Sequence, residues 1–402
     1  MPDKIVNKIV LTRTVILPDP VRTAMCRRSP DLGPRILFFS GGSALRRLSQ
    51  KLVDYTHNSI HLITPFDSGG SSAVLRKAFR MPAVGDIRNR IMALADRSVK
   101  GNPEIFELFA HRLSKTDPID ALRARLEAMV MGTDPMIRAV PDPMRKIIRS
   151  HLGFFKDRSP KDFDLRGASV GNLILTGGYF NYKRQIDPVI YLFSRLVEAR
   201  GVVRPIINAD LHLVTELKDG TRLVGQHLLT GKEVPPIASP VREVHLADDP
   251  AGFIPVEPRL KEKVARRIKN ADLICYPMGS FYSSLVANLL VKGVGDAVAV
   301  ADCPRVYIPN QGHDPEEYGM SLADRVETLF RYLEKSCTAP VERSRLLQFV
   351  LVDSSPDAAF GASEISRVRR MGVKVIEAEL VSEKSRPYLD PRRVIEHLVA
   401  LS

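Results

Sequence analysis

The chain has 402 residues, 44% of them hydrophobic and 26% charged, with a formal net charge of +13. This balance excludes an intrinsically disordered chain and supplies enough apolar side chains for a core. The basic excess points to anionic partners, while the absence of RNP1-like runs, zinc-finger spacing and basic heptads favours phosphorylated small molecules over nucleic acid. No apolar run reaches the roughly 20 residues of a membrane span, and no signal-peptide core opens the sequence. Cys26, Cys275, Cys303 and Cys337 form no C-x-x-C pair, so reduced thiols and a cytoplasmic location are expected.

Residues 1–34 read as an N-terminal extension closed by the turn-rich Ser29-Pro30-Asp31-Leu32-Gly33-Pro34. Nine Lys/Arg and three Asp/Glu fall within the first 50 residues. Residues 35–402 read as one α/β domain. Arg35-Ile36-Leu37-Phe38-Phe39 has the unbroken apolar character of a buried parallel strand. Gly41-Gly42-Ser43 breaks it, helical spacing follows at 44–48, and Ile60-His61-Leu62-Ile63-Thr64 is the next strand. The whole has the size of a βαβ unit, about 30 residues.

From 86 to 200 the sequence is mainly helical, with candidates at 87–97, 103–114, 118–130, 143–152, 171–180 and 187–200, and about 100–200 reads as a helical insertion. A β-rich insertion is expected at about 203–258, built on the hairpin 211–225 with its Lys218-Asp219-Gly220 turn. Residues 261–267 read as one side of a solvated helix. Strands then return at 272–276, 306–308, 347–352 and 373–376, alternating with helices at 283–291, 321–335 and 391–401. Alternation at both ends predicts one Rossmann-like parallel sheet flanked by helices, carrying the two insertions.

The chemistry is expected on loops at the carboxyl ends of strands. Gly41-Gly42-Ser43 reads either as a phosphate cradle or as a tight strand-to-helix turn. Asp67-Ser68-Gly69-Gly70-Ser71-Ser72 offers an acid for a ribose hydroxyl or Mg²⁺ and small donors for phosphate; its alternative is a Ser-rich cap for a helix at 73–79. In Gly85-Asp86-Ile87-Arg88-Asn89, Asp86 fits a helix N-cap. Arg88 and Asn89 then lie in the first turn, where an arginine is unfavourable unless an anion is near. Pro277-Met278-Gly279-Ser280 repeats the strand–loop–helix logic as a second phosphate cradle. His111, His212, His227 and His245 read as surface or core polar residues. His313 lies on a loop, facing a ligand or making a turn.

The set Gly41-Gly42-Ser43, Asp67 to Ser72, Gly85 to Asn89, Gly171-Asn172-Leu173, Gly279-Ser280-Phe281-Tyr282 and Tyr307-Ile308-Pro309-Asn310 resembles the CofD-like family. That family includes 2-phospho-L-lactate transferase and the gluconeogenesis-factor proteins, and the spacing looks closer to the second branch. The resemblance implies a nucleotide diphosphate-linked ligand, Mg²⁺ and a homodimer. It further implies that Gly41, Gly42 and Ser43 hold one phosphate and Gly279 and Ser280 another, with Gly69, Gly70, Ser71, Ser72, Asn89 and Tyr282 in the binding set. Asp67 is expected to hold Mg²⁺ or orient an acceptor hydroxyl, Arg88 to steady developing charge, and Asn172 and Asn310 to recognise base or sugar. Transfer of a phosphoryl-containing group to a hydroxyl is the expected activity; nucleotide-sugar-dependent regulation without turnover is the alternative. The chain departs from the family pattern at Ser43-Ala44, where Thr-Gly is usual, at Ser68, where a second acid is usual, and at Pro277-Met278, where Gly-Pro is usual.

Overall fold

The computed structural model describes residues 14–96, 101–249, 254–355 and 358–402. Within the expected N-terminal extension, residues 1–13 lie outside these limits. Asp19 caps the helix Pro20–Arg28 by accepting from Arg22 N at 2.9 Å. That helix packs on the C-terminal helix Pro391–Leu401.

In chain order the strands are β1 (Ile36–Ser40), β2 (Ile60–Ile63), β3 (Val202–Pro205), β4 (His212–Leu217), β5 (Arg222–Val224), β6 (Val241–Ala247), β7 (Pro255–Val256), β8 (Leu273–Tyr276), β9 (Arg305–Tyr307), β10 (Phe349–Asp353) and β11 (Lys374–Ala378). Seven form one parallel sheet, ordered β11-β10-β9-β8-β1-β2-β3. The expected Rossmann-like architecture is therefore present. A separate antiparallel sheet, β5-β4-β6-β7, carries the hairpin, whose turn places Gly220 at φ +90°.

The central strands β1 and β8 are largely apolar because both faces are covered. Leu37 and Phe39 of β1 join Ile274 and Tyr276 of β8 in one buried layer. Ile36 and Phe38 join Leu273 and Cys275 in the opposite layer, against the C-terminal helix. The helical region builds a third core around Phe79, Phe155, Phe163 and Phe180.

Several elements differ in extent from their sequence reading, among them the helices expected at 103–114 and 143–152, which run Pro103–Ala110 and Met144–Arg158. The helix expected at 187–200 ends at Leu196, and the chain turns directly into β3, the outer strand of the parallel sheet. The helix expected at 283–291 starts as a π-turn, Phe281–Val286, and continues only to Leu289.

The helix Val170–Asn181 is buried along nearly its whole length. A Cβ on Gly177 would overlap the carbonyl of His151 on the helix Met144–Arg158. Gly177→Ala must push these helices apart, and thermal denaturation is expected to show a loss on the order of 2 kcal/mol.

Candidate functional site

The chain leaves β1 in two directions: β2 and β3 lie on one side, and β8 to β11 on the other. In such a sheet a crevice opens at the carboxyl ends of the two strands where the order reverses. Here those strands are β1 and β8, and their following loops line a cleft of about 180 Å³. An outer basin of about 630 Å³, lined in part by Arg46, Arg47, Asn310, His313 and Tyr388, shares Ser43, Lys232, Gly279 and Ser280 with the inner cleft.

The shape of the first loop depends on Arg90. Its side chain is fully buried, and Nη2 donates to the carbonyls of Gly41 at 2.9 Å and Gly42 at 3.2 Å. Nη1 donates to Ser49 Oγ. In a trans peptide the N–H points opposite to the C=O. The N–H groups of Gly42 and Ser43 are therefore turned away from Arg90, and among the described residues they donate to no protein acceptor. Glycine is required for close approach: a Cβ on Gly42 would overlap the Asp86 carboxylate, and one on Gly41 would overlap Ser284 Oγ.

Asp86 is not the N-cap its sequence position suggested. The helix Gly85–Ala93 starts two residues earlier than that cap requires, and Val84 at its N-cap has helical φ and ψ and no capping side chain. Asp86 instead lies in the first turn, 8% exposed, with its carboxylate against the first loop. No hydrogen bond reaches that carboxylate among the described residues. Asp67 Oδ2 lies 3.5 Å from where a Cβ of Gly85 would stand, so two carboxylates line the same wall. Burial, with the Asp67 charge adding to it, pushes the Asp86 carboxyl up to about 7. Arg90, one turn along the helix, acts in the opposite sense. Burial in turn lowers the Arg90 guanidinium to about 10, which leaves it charged at neutral pH.

The second and third loops are largely occupied by the protein's own groups. Gly69 N donates to Asp67 Oδ1 at 3.1 Å, and Gly70 N to Glu233 Oε1 at 3.2 Å. Ser71 Oγ accepts from Asn172 Nδ2 at 2.7 Å, and Ser72 is buried against Gly85. After β8, Asp314 accepts from Phe281 N, and Glu316 accepts from Tyr282 N and Ser283 N, each at 2.8 Å. The helix start expected to cradle a second phosphate is therefore capped by two carboxylates. Asn310 pairs with both sides of the Gly279 residue, accepting from its N at 2.9 Å and donating to its O at 2.8 Å.

Of the expected site residues, Gly41, Gly42, Ser43, Asp67, Gly69, Gly279 and Ser280 meet in the inner cleft, and Asn310 lines the outer basin. Gly70, Ser71, Ser72, Arg88, Asn89, Asn172 and Tyr282 do not line it. Arg88 donates to Ser169 Oγ and, at 2.7 Å, to Asn89 Oδ1, so neighbouring polar groups satisfy it without a bound anion. The Tyr282 side chain is buried, with its hydroxyl at the Met320 sulfur. The cleft gains residues that the sequence reading had not assigned to it: Asp86, read as a helix cap, Ser284, and Gln226, His227, Thr230, Lys232 and Glu233 after the hairpin. His227, read as an unremarkable polar residue, lines the cleft and bonds Ser68 Oγ through Nδ1 at 2.7 Å.

Replacing Arg90 with methionine would leave the buried Gly41 carbonyl and the part-buried Gly42 carbonyl without their donor. A loss on the order of 3 kcal/mol is expected in denaturant titration. Asp86 makes a separate expectation for pH. Its folded-state carboxyl titrates near 7, against an ordinary value of 3.8. Below pH 4 both folded and unfolded chains hold the proton; between about 4 and 7 only the folded chain does. The associated stability is therefore complete below pH 4 and is lost as pH rises to 7, by on the order of 4 kcal/mol. Melting curves from pH 4 to 8 are expected to show this decline in the parent chain and not in Asp86→Asn. Parallel profiles would remove Asp86 as its source.

The family described as 2-phospho-L-lactate transferase CofD matches residues 36–381. A gluconeogenesis factor from Bacillus subtilis (strain 168) is 28% identical over 372 residues, covering 88% of this chain and 92% of that protein. A relative from Nostoc sp. is 28% identical over 298 residues, and there the match takes in 74% of this chain but only 52% of the longer protein. The crystal structure of a UPF0052-family protein from Bacillus halodurans superposes with a TM-score of 0.64 at 21% identity, covering 91% of this chain and 99% of that one, and so shares the fold. With the family match running from β1 to beyond β11, this chain belongs to the CofD family.

Proposed function

We propose that the chain binds a nucleotide diphosphate-linked small molecule in the cleft and transfers a phosphoryl-containing group from it to an acceptor hydroxyl: the P–O bond of the diphosphate link breaks, the hydroxyl oxygen bonds to the transferred phosphorus as its proton is lost, and nucleoside monophosphate leaves. One observation carries the reading: the free N–H groups of the first loop, Lys232 and the carboxylates of Asp67 and Asp86 converge on one cleft. Backbone donors and an ammonium suit the oxygens of a diphosphate. The connected outer basin leaves room for an acceptor beside the donor.

The acids fit Mg²⁺, which is usually held by one or two carboxylates together with substrate phosphates. Asp86 receives no hydrogen bond, and the neighbouring Asp67 charge makes its ionised form costly; a cation between them would relieve both conditions. No group of three or more His, Cys, Asp or Glu able to hold a metal occurs among the described residues, so the ligand's own oxygens would complete the coordination. Bound there, Mg²⁺ would supply charge neutralisation at the diphosphate. The protein's own contribution is placement: Gly42 and Ser43 orient phosphate oxygens, and Asp67 orients the acceptor hydroxyl.

A second reading, ligand-dependent regulation without turnover, is favoured by where the arginines are spent. Arg88 is bound to Ser169 and Asn89, and Arg90 to the loop carbonyls, so neither is offered to developing charge in the cleft. The gluconeogenesis-factor name of the Bacillus subtilis relative fits this reading equally.

Incubation with nucleotide diphosphate-linked compounds, Mg²⁺ and hydroxyl acceptors, followed by mass spectrometry, separates the two. For transfer, Asp67→Asn is expected to lower turnover by about 100-fold or more while calorimetric affinity for the nucleotide changes little. Binding without any consumption supports the regulator. Absence of binding across the panel overturns both.

A further inference from the structure

A second basin in the molecule gathers cations around a free backbone donor. It lies along the outer edge of β3 and the turn leading into it, encloses about 630 Å³, and is lined by Arg195, Arg200, Arg204 and Arg267, with Glu198 as its one acid. It shares no lining residue with the inner cleft or the outer basin. The strands of the sheet are parallel, and the cleft sits at their carboxyl ends. The turn entering β3 is therefore at the opposite end of the sheet.

The four arginines are not equivalent. Arg200 is paired with Asp96 at 2.7 Å and lies 4.0 Å from Glu198. Arg195 lies over the ring of Tyr191, 5.9 Å from its centroid, and Tyr191 is 55% exposed. Arg204 is half-buried on β3, and burial together with the nearby Arg267 charge lowers its guanidinium from the ordinary range. Neither Arg204 nor Arg267 makes an ion pair or hydrogen bond to a carboxylate among the described residues. Two like charges brought together without a counter-ion oppose folding, and an anion between them removes the opposition.

The backbone adds a donor. Val202 N donates to Ser59 O at 2.8 Å and Ile206 N to Ile63 O at 2.9 Å, both toward β2. Peptide groups alternate sides along a strand, so Val203 turns its N–H to the open edge. Among the described residues that N–H meets no acceptor.

We propose that this basin is a second binding site for a nucleotide, with the phosphates between Arg204 and Arg267 and the base on the exposed face of Tyr191. Guanidinium groups match phosphate oxygens in pairs, and a tyrosine ring stacks on a base of any sequence. The volume falls in the range of small-molecule sites and far exceeds the needs of a single phosphate. The same phosphate-and-base chemistry occurs in single-stranded nucleic acid. The free nucleotide is preferred because the cations are confined to one bounded basin and do not form a stripe along a surface.

The test uses the full chain and two probes, ADP and inorganic pyrophosphate, in isothermal titration calorimetry. The double variant Arg204→Gln with Arg267→Glu is expected to weaken one class of ADP and pyrophosphate sites by at least about tenfold, because two charge-assisted contacts are lost. The same loss is expected in a Gly42→Ala background, where the cleft is obstructed. Tyr191→Ala is expected to weaken ADP by about threefold or more and leave pyrophosphate unchanged. Arg267→Glu alone changes a partly exposed helical residue, and it serves as the test if the Arg204 substitution unfolds the chain. The proposal is overturned if both isotherms are unaffected by these arginine variants. It is equally overturned if the basin binds a single-stranded oligonucleotide while millimolar ADP neither binds nor competes.

Discussion

A single buried guanidinium sets the geometry at the head of the sheet. Arg90 reaches from its helix to hold the carbonyls of Gly41 and Gly42, and the planarity of the peptide turns the associated N–H groups outward. Without it, a glycine-rich bend would sample many conformations, and its donors would not share a direction. The arrangement requires a cation without a paired carboxylate in the interior. Carbonyl oxygens, Ser49 Oγ and the nearby Asp86 charge together make that tolerable. Asp86 therefore has two roles: it lies against the loop that Arg90 shapes, and it offsets part of the charge that Arg90 brings.

Three glycine-containing loops look alike as text and differ in what the fold does with them. The first keeps donors free because Arg90 takes its carbonyls. The second gives its amides to Asp67 and Glu233, and the third gives the amides that follow it to Asp314 and Glu316. Each of these carboxylates occupies the position an anionic ligand would otherwise take at a helix start. The acids involved lie up to 163 residues from the amides they satisfy. An amide is a binding group only when nothing within the chain has claimed it.

This explains which features were legible. The central strands could be read because each is a short, unbroken apolar run between glycine or proline signals, as in Ile36 to Ser40 and Leu273 to Tyr276. β3 is hard to read because Val202-Val203-Arg204-Pro205 is a short edge strand, broken by an arginine and a proline and close behind a helix. The shared cleft of Gly41, Gly42, Ser43, Asp67, Gly279 and Ser280 followed from their places after parallel strands. Asp86 has the local pattern of a cap, an acid before an apolar run. Its four-residue spacing from Arg90 was the signal that both share a helix face. Residues 226–233 carried no local signal at all. They reach the cleft because the antiparallel sheet is folded over the second loop, where His227 meets Ser68 and Glu233 meets Gly70.

The reversal of strand order between β1 and β8 has a consequence for how the molecule is assembled. The walls of the cleft come from residues 39–45, 67–69, 86, 226–233 and 277–285, so no fragment shorter than 39–285 contains them all. β8 can join β1 only after more than 200 intervening residues have been made and arranged. Contacts so distant in sequence form late and slowly. The cleft is thus complete only once β8 has joined β1, and any ligand bound there would favour the assembled chain over forms in which those strands are apart.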